Sequence, residues 1–485
     1  MDSRFKGMPE NGLDASRLLE ELEALAQGDL DPHSGRLWAH VYDTGLEELA
    51  ELARRAYSLY MDKTMLNFTV YPSLIKLEND VVGMVASLMN APETAGGTFT
   101  YGGTESIILA VKAAREHYRR NGGGGVPEIV LPLTAHPAFH KAADLLGMKT
   151  VVVGVDPETM KVDVDEVMEA ITGRTALIAV SAPNYPYGSV DPVREVGEVA
   201  QDRCVWLHVD ACIGGFVLPF FKQLGVDVPD FDFTIEGVTS ISVDLHKYGY
   251  APKGASVVIY RDKRLKMGQV FVKSSWPGYP IVNTALLSTR SAGPLAASWA
   301  VLNYLGLQGY MEQARRILNA RAKILGGLGN MGFRVLGKPE SSIVAFTRDD
   351  ANIFQVAGLM RDKGWYIQEQ PGSRYLGIEP SLHLTITPIH DMLADAFLDD
   401  LRGSVSEALR NPMPRVNELA EQFGVEMMQG QVDPGQLMEM LGVAPGKLPS
   451  DMTIINSLMH GMEPKLVEEV LKLAVNEIFT PSRQG

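Results

Sequence analysis

Lys247 stands between an apolar strand pattern and a turn rich in glycine and proline, in the run SVDLHKYGYAPKG (242–254). This order predicts that Lys247 lies at the carboxyl end of a sheet, where α/β folds bind ligands. A partly buried lysine loses its proton more easily and becomes an amine nucleophile able to form a Schiff base. The alternative is an ordinary solvated loop lysine. The preceding His246 and the surrounding glycines favour the functional interpretation.

A carboxylate ends the strand pattern VWLHVD at Asp210. An acid in this position can face a cavity and pair with a cationic ring nitrogen. An opposite charge within hydrogen-bond reach shifts a pKa by about 1–3 units, which keeps a pyridine protonated at neutral pH. The alternative for Asp210 is a cap on the following loop, which is a common role for aspartate.

Two further runs offer an anion site and a flat ring. In YGGTES, Gly102 and Gly103 free the backbone and Thr104 supplies a hydroxyl at a helix start, where N–H groups and the helix dipole favour a phosphate. His136 follows the strand pattern at 128–132, and its imidazole can stack on a cofactor or move a proton. Taken singly, these are equally a plain N-cap and a structural histidine. Together with Lys247 and Asp210 they are the parts that pyridoxal phosphate needs.

The elements that must position these residues alternate between strand and helix from Phe99 to Tyr260. Strands are predicted at 128–132, 150–155, 175–183, 205–210 and 255–260, with helices between them at 104–120, 163–171 and 191–201. Such alternation predicts an α/β fold with a mostly parallel central sheet and helices on both faces.

The rest of the chain predicts a second, smaller α/β domain and helical ends. After a helical region at 294–330, strands at 333–337, 342–348 and 382–388 and a helix at 352–363 have an antiparallel character. We therefore expect four parts: an N-terminal helical segment (1–64), a large cofactor-binding domain (65–315), a small α/β domain (316–410) and a helical tail (411–485).

Composition excludes several classes of function. The 485 residues are 46% hydrophobic and 21% charged, which is typical of a globular protein, and no apolar run is long enough to span a membrane. The formal charge of −15 argues against nucleic acid as a partner. The first thirty residues lack the apolar core of a secretory signal. Two cysteines, Cys204 and Cys212, cannot build a disulfide framework or a four-thiolate zinc site, so we expect no metal and a cytoplasmic location.

On these motifs the sequence resembles the fold-type I pyridoxal-phosphate enzymes of the group II decarboxylase superfamily. Within that superfamily it is most similar to the sphingosine-1-phosphate lyase family, over roughly residues 35 to 400. The segments that carry the resemblance are GRLWAHVYDTGLEELAELARRAYSLY (35–60), GGTESI (102–107), AHPAFHKAADLLGMK (135–149), SAPNYPYGSVDPV (181–193), HVDACIGGF (208–216) and DLHKYGYAPKG (244–254).

The resemblance implies pyridoxal 5'-phosphate as the cofactor and a role for each matching residue. Lys247 forms the Schiff base, Asp210 pairs with the pyridine nitrogen and His136 stacks on the ring. The residues that help to hold the cofactor are Gly102, Gly103, Thr104 and His246.

The resemblance also implies how the substrate is met. Lys253 matches a second active-site lysine near the anionic group of a small amine substrate. Tyr42 matches a tyrosine that reaches an active site across a dimer interface, so a homodimer with shared sites is expected.

Some positions depart from the family pattern. Asn67, in TMLN (64–67), replaces a histidine, Tyr187 replaces the histidine of a Phe-Pro-His-Gly stretch, and Tyr101 replaces a serine. The family's Gly-Ser-Arg stretch corresponds to STR at 288–290. Each departure falls on the substrate or phosphate side, which leaves the cofactor core intact.

Three functions remain open. The favoured one is a carbon–carbon lyase that cleaves a phosphorylated amino alcohol into an aldehyde and phosphoethanolamine, and it needs a base for the substrate hydroxyl. Tyr187, Tyr42 and His136 are candidates for that base. The second is an amino-acid decarboxylase, which needs no such base. The third is a binding or assembly subunit on the same fold, against which Lys247 and Asp210 argue.

Overall fold

A computed structural model of the chain describes residues 8–418 and 452–480. Its largest sheet has seven strands in the order β1-β7-β6-β5-β4-β2-β3. The neighbours from β3 to β6 pair in parallel, whereas β7 is antiparallel to both β6 and β1. The expected mostly parallel sheet is confirmed. The strands are β1 (Gly96–Thr100), β2 (Glu128–Pro132), β3 (Lys149–Val153), β4 (Thr175–Ser181), β5 (Trp206–Asp210), β6 (Val238–Asp244) and β7 (Ser256–Tyr260).

Helices cover both faces of this sheet because its central strands are apolar on both sides. Along β2, Ile129 and Leu131 belong to one hydrophobic core, whereas Val130 between them belongs to the other. Strands β2, β4 and β5 are buried along their whole length. The helices within this part of the chain are α4 (Gly103–Arg120), α5 (Ala138–Leu146), α6 (Val164–Ala170), α7 (Val193–Asp202), α8 (Leu218–Gln223) and α9 (Lys263–Lys266).

Three helices precede the sheet, the first two of them within the expected N-terminal helical segment (1–64). They are α1 (Ala15–Ala26), α2 (Glu47–Tyr60) and α3 (Ser73–Leu88). Helix α1 buries none of its residues, whereas α2 and α3 pack against the long helix α10 (Gly293–Asn330). Helix α10 is kinked at Gly306, where φ is +54°, a value that glycine adopts without a steric penalty.

A second sheet follows α10 and is antiparallel throughout, as its sequence pattern predicts. Its order is β10-β11-β13-β12. The strands are β10 (Arg334–Leu336), β11 (Ile343–Thr347), β12 (Gln368–Gln370) and β13 (Ser381–Thr385), and the accompanying helices are α11 (Ile353–Asp362) and α12 (Ala394–Arg410). A short hairpin of β8 (Phe271–Lys273) and β9 (Ile281–Asn283) was not expected from the sequence.

Residues 452–480 of the C-terminal tail are mostly helical and contact α11 and the segment around β12. They form α13 (Met452–Gly461) and α14 (Pro464–Ile478). In α13, Asn456 donates to the Glu369 carboxylate and His460 lies 2.9 Å from the carbonyl oxygen of Pro371. The expected helical character of residues 419–451 and 481–485 lies outside the described residues. Within residues 8–418 and 452–480, no helix is long and apolar enough to cross a membrane.

Candidate active site

One cavity of about 570 Å³ opens at the carboxyl ends of the parallel strands. All the residues that the sequence singled out for cofactor binding line it, namely Gly102, Gly103, Thr104, His136, Asp210, His246 and Lys247. Strands β5 and β6 are neighbours and end at Asp210 and Asp244, and His136 follows the end of β2. The parallel arrangement therefore brings together side chains from distant parts of the sequence.

One oxygen of the Asp210 carboxylate accepts hydrogen bonds from the described part of the chain, and the other does not. Its Oδ1 accepts from the backbone N–H of Cys212 at 3.0 Å and from the Ser242 hydroxyl at 3.4 Å. No residue of the described chain donates to Oδ2, although Asp210 is only 8% exposed and lines the cavity. A carboxylate oxygen at a cavity wall that accepts no hydrogen bond from the chain suits a ligand that brings a cationic donor.

Lys247 is paired with a carboxylate that the sequence analysis did not use. Its Nζ lies 3.0 Å from Oδ2 of Asp244, and Nε2 of His246 lies 3.6 Å from the same oxygen. Burial lowers the pKa of Lys247, but Asp244 and other nearby groups outweigh burial, so that the pKa ends above its ordinary value. The expectation that burial frees the lysine of its proton is therefore wrong for the chain without its cofactor.

The first turn of α4 forms the anion end of the cavity. Gly102 has φ of +143°, and a Cβ on Gly103 would lie 2.8 Å from both Asp244 Oδ2 and Cys212 Sγ. Glu105 does not oppose an anion as a free carboxylate, because its oxygens accept from the backbone N–H groups of Tyr101 and Leu286. The unpaired N–H groups of a first helical turn are suited to a phosphate.

His136 has the hydrogen bonding of a neutral ring. Its Nδ1 accepts from the backbone N–H of Ala138 at 3.2 Å, which assigns the remaining ring proton to Nε2. Burial lowers the pKa of His136, although Asp210 partly opposes the shift. A neutral imidazole at the cavity wall is suited to stacking on a flat ring.

Lys253 and Tyr42 do not line this cavity but lie close together beside it. Lys253 Nζ donates to the carbonyl oxygen of His40 at 2.8 Å and lies 5.1 Å from the centre of the Tyr42 ring. The Tyr42 ring packs edge-on against Tyr248 of its own chain at 5.0 Å, and the charge of Lys247 acts on its hydroxyl. The structure thus places Tyr42 at the site of its own chain, and the expectation that it reaches a partner's site is corrected.

The residues that depart from the family pattern occupy different places. Tyr187 is buried beside a second cavity of about 740 Å³ and does not line the first. Asn67 accepts from Thr69 and Val70 in an exposed turn. Tyr101 lines the first cavity and donates to the Ser291 carbonyl at 3.0 Å.

Several residues of the site were missed by sequence reasoning. Asp244, Cys212, Leu286 and Leu287 line the cavity. Tyr185 faces the second cavity and is close enough to Lys247 for the lysine charge to lower its pKa, against a larger upward shift from burial. Asp244 had a signal, because it ends a strand pattern three residues before Lys247. Leu286 and Leu287 had none.

Comparison with known proteins identifies the family. Residues 33–348 match the family described as the pyridoxal-dependent decarboxylase conserved domain. The chain is 40% identical to the sphingosine-1-phosphate lyase of Dictyostelium discoideum over 82% of this chain and 74% of that protein. The chain belongs to the sphingosine-1-phosphate lyase family.

Two other members of the sphingosine-1-phosphate lyase family support this assignment. Sphingosine-1-phosphate lyase 1 of Rattus norvegicus is 36% identical over 95% of this chain and 80% of its own length. The structure of the Burkholderia pseudomallei sphingosine-1-phosphate lyase has a TM-score of 0.79 at 35% identity and covers 88% of this chain and 97% of its own. The fold-type I fold and a pyridoxal-phosphate-dependent lyase activity follow.

The cofactor of this family is pyridoxal 5'-phosphate, and the residues of the first cavity fit it. The free Oδ2 of Asp210 suits its ring nitrogen, the start of α4 suits its phosphate, and a Cβ at Gly103 would fill the cradle between them. Lys247 is an amine in the same cavity. The fit therefore concerns the space between β5, β6 and the first turn of α4.

Proposed function

We propose that this protein cleaves the carbon–carbon bond of a phosphorylated amino alcohol, releasing an aldehyde and phosphoethanolamine. The observation that carries the proposal is the position of two amines. Lys253 lies beside Tyr42 and close enough to Lys247 for the Lys247 charge to lower its pKa. Burial lowers the pKa of Lys253 more strongly, and its ammonium group donates to the backbone carbonyl of His40. Its charge therefore remains available to a substrate phosphate.

Pyridoxal phosphate, when bound, supplies an aldehyde for an amine and a ring that accepts electrons from a bond at the substrate's α carbon. The residues of the chain supply the rest. Asp210 Oδ2 holds the proton on the ring nitrogen, His136 fixes the ring plane, and the first turn of α4 holds the phosphate. Lys253 orients the substrate through its phosphate, so that the bond to the hydroxyl-bearing carbon is perpendicular to the ring plane, the orientation in which it breaks.

We propose that Tyr185 is the residue that hydrogen-bonds to the substrate hydroxyl and accepts its proton. A retro-aldol cleavage needs a group within hydrogen-bond reach of that hydroxyl. Tyr185 packs on His383 at 4.6 Å between ring centres, and it is close enough to Lys247 and to Tyr42 to interact electrostatically with both. Tyr187, which the sequence offered as a candidate base, packs instead with Met160, Leu336 and Ala345.

We further propose a homodimer whose second copy covers the open side of the cofactor cavity. Leu286 and Leu287 line that cavity and are 47% and 53% exposed. The adjoining hairpin also carries exposed apolar side chains, Phe271, Trp276 and Tyr279. An apolar patch of this kind beside a site is typical of a protein interface. Light scattering that finds an active monomer would contradict this part of the proposal.

We propose a cytoplasmic location, which rests on cysteine usage. The two cysteines are both free, Cys204 at the surface and Cys212 in the interior. Free thiols persist in reducing compartments. Fractionation of the source cells followed by detection of the native protein tests the location.

The test of the proposed reaction is a product assay. Purified protein with added pyridoxal phosphate is incubated with sphingosine 1-phosphate and, separately, with a panel of amino acids, and aldehyde, phosphoethanolamine and carbon dioxide are measured. We expect aldehyde and phosphoethanolamine in equal amounts, and neither product from Lys247→Ala. Carbon dioxide from an amino acid without aldehyde would support the decarboxylase instead.

A further inference from the structure

A line of polar side chains crosses one face of the buried sheet and ends at Asp210. In the parallel register of β5 and β6, His208 lies opposite Ser240 and Asp210 lies opposite Ser242. Because side chains alternate along a strand, Trp206, His208 and Asp210 share a face with Ser240 and Ser242. All five are buried.

The contacts along this line are continuous. Trp206 Nε1 lies 2.8 Å from Ser240 Oγ, and Ser240 Oγ lies 2.8 Å from His208 Nδ1. His208 Nε2 lies 3.2 Å from Ser242 Oγ, and Ser242 Oγ lies 3.4 Å from Asp210 Oδ1. No gap in this series exceeds hydrogen-bond reach.

Each hydroxyl has one proton, and this fixes the direction of every bond. The Asp210 carboxylate can only accept, so Ser242 gives its one proton to Oδ1 and must accept from His208 Nε2. His208 then carries its proton on Nε2 and accepts at Nδ1 from the Ser240 hydroxyl. Ser240 in turn accepts from the Trp206 indole, which can only donate.

The opposite tautomer of His208 breaks the series. With the proton on Nδ1, His208 Nε2 accepts a hydrogen bond from the Ser242 hydroxyl. The Ser242 oxygen then has no proton to offer Asp210, and two acceptor oxygens, Ser242 Oγ and Asp210 Oδ1, face each other. Burial lowers the pKa of His208 to about 4, so the ring is neutral at physiological pH and has one proton to place. The thiol of Cys212, 3.3 Å from Ser242 Oγ, occupies the other lone pair of that hydroxyl.

We propose that Trp206, Ser240, His208 and Ser242 form a positioning relay that fixes Oδ1 of Asp210 and so presents Oδ2 to the ring nitrogen of the cofactor. The proposal rests on the proposed placement of the cofactor between Lys247 and Asp210. His208 and Ser242 are positioning residues, because they act through the carboxylate and do not line the cavity.

The relay has a specific consequence for cofactor binding. A hydrogen bond to a charged group contributes enough to change an equilibrium by about tenfold or more. Losing the Ser242 donor leaves Oδ1 with the backbone N–H of Cys212 as its remaining donor, so the Asp210 carboxylate and its Oδ2 are held less firmly. The ring nitrogen then loses a well-placed partner, whereas the phosphate and the aldehyde of the cofactor keep theirs.

The experiment compares two ligands on the same variants. Cofactor-free wild type and Ser242→Ala are titrated with pyridoxal phosphate and with its 1-deaza analogue, in which carbon replaces the ring nitrogen, and binding is followed by absorbance. We expect Ser242→Ala to bind pyridoxal phosphate about tenfold more weakly than wild type and to bind the deaza analogue equally well. An equal loss for both ligands would overturn the proposal, because it would show a merely structural effect.

His208 variants test the direction of the bonds. His208→Gln keeps an acceptor for Ser240 and a donor for Ser242, so we expect it to retain most of the affinity for pyridoxal phosphate. His208→Phe has a similar shape without either group and should match Ser242→Ala. The double variant Ser242→Ala/His208→Phe should bind no more weakly than either single variant, since both break one series. Additive losses would contradict a relay.

Two controls separate this proposal from other failures. Ser298→Ala removes a buried hydroxyl of α10 that donates to the Pro294 carbonyl, and it should bind both ligands like wild type. If Ser242→Ala does not fold, Ser240→Ala breaks the same series one bond earlier and should show the same ligand selectivity. Absence of any bound-cofactor absorbance in wild type would refute the placement of the cofactor, whereas normal binding without selectivity refutes the relay alone.

Discussion

Lys247 Nζ lies 3.0 Å from Oδ2 of Asp244, so that the amine expected to hold the cofactor begins as one half of a buried ion pair. Burial raises the pKa of Asp244, whereas the charges of Lys247 and His246 lower it. The lowering effects are together the larger, so the pKa ends below its ordinary value. The carboxylate in turn keeps Lys247 charged. Lys247 must therefore lose a proton before its amine can react with the aldehyde of the cofactor.

Asp244→Asn should move the pH dependence of cofactor attachment to lower pH. Without the carboxylate, burial is the dominant influence on the pKa of Lys247 and favours the neutral amine. The rate at which the absorbance of bound pyridoxal phosphate appears, measured from slightly acidic to alkaline pH, should shift by about one pH unit or more.

A surface aspartate provides the matched control for Asp244. Asp262 forms an ion pair with the exposed Arg264, and neither residue lines the cavity. Asp262→Asn should leave the pH profile of attachment unchanged. An unchanged profile for Asp244→Asn as well would show that the ion pair does not govern the lysine.

Gly103→Ala should weaken cofactor binding by at least about tenfold. Its Cβ would lie 2.8 Å from Cys212 Sγ and Asp244 Oδ2, which is too close for a carbon atom and narrows the cradle for the phosphate. Gly124→Ala is the control, because a Cβ at Gly124 meets nothing within 4 Å. Equilibrium titration with pyridoxal phosphate measures both. If Gly103→Ala bound pyridoxal phosphate with wild-type affinity, the first turn of α4 would not be part of the cofactor site.

Tyr185→Phe should lower kcat by about 100-fold, within the range of a lost acid–base contact, while Tyr187→Phe stays close to wild type. The charge of Lys247 reaches Tyr185, whereas Tyr187 packs with Met160 and Leu336. Steady-state kinetics of aldehyde release compare the two variants. The reverse ranking would assign the substrate hydroxyl to Tyr187, which is one of the three candidate bases that the sequence offered.

His390 should make the fold less stable in acid. Burial lowers its pKa to about 3, whereas the unfolded chain binds a proton near 6.5. Because the folded pKa is depressed, this stabilisation is present above 6.5 and is lost as the pH falls below it. One such histidine accounts for ~1.4 kcal/mol of lost stability about one pH unit below its unfolded pKa.

The measurement is urea unfolding near neutral pH and about one pH unit below 6.5, for wild type and two variants. His390→Phe keeps a ring against Trp38, whose centre lies 3.9 Å from that of His390, and it should lose its share of the pH dependence. His33→Phe, at an exposed position, should retain the wild-type dependence. Identical pH dependence in all three proteins would contradict the prediction.

The sequence predicted the cofactor side of the site well, for a geometric reason. Lys247, Asp210 and His136 each follow an apolar strand pattern, and parallel strands end at one edge of a sheet. The sheet topology alone therefore predicts that these three residues lie close together. The substrate side depends instead on how loops turn after the strands, and Tyr185, which was not among the candidate bases Tyr187, Tyr42 and His136, lies near Lys247.

Strand β1 was not predicted and β6 was indicated only by its end before Lys247, without bounds, and their compositions explain why. Strand β1 begins with two glycines, and β6 alternates serine and threonine with apolar residues, a pattern typical of a half-exposed strand. Ser240 and Ser242 are buried because Trp206 and His208 of the neighbouring strand satisfy their hydroxyls. That pairing depends on register, which local sequence does not encode.

The central claim is that one amine, Lys247, carries the cofactor. The purified protein is loaded with pyridoxal phosphate, reduced with borohydride, digested and analysed by mass spectrometry. We predict a phosphopyridoxyl group on the peptide that contains Lys247, and its absence from Lys247→Ala. A modification confined to Lys253 or to any other lysine, with Lys247 unmodified, would contradict the account.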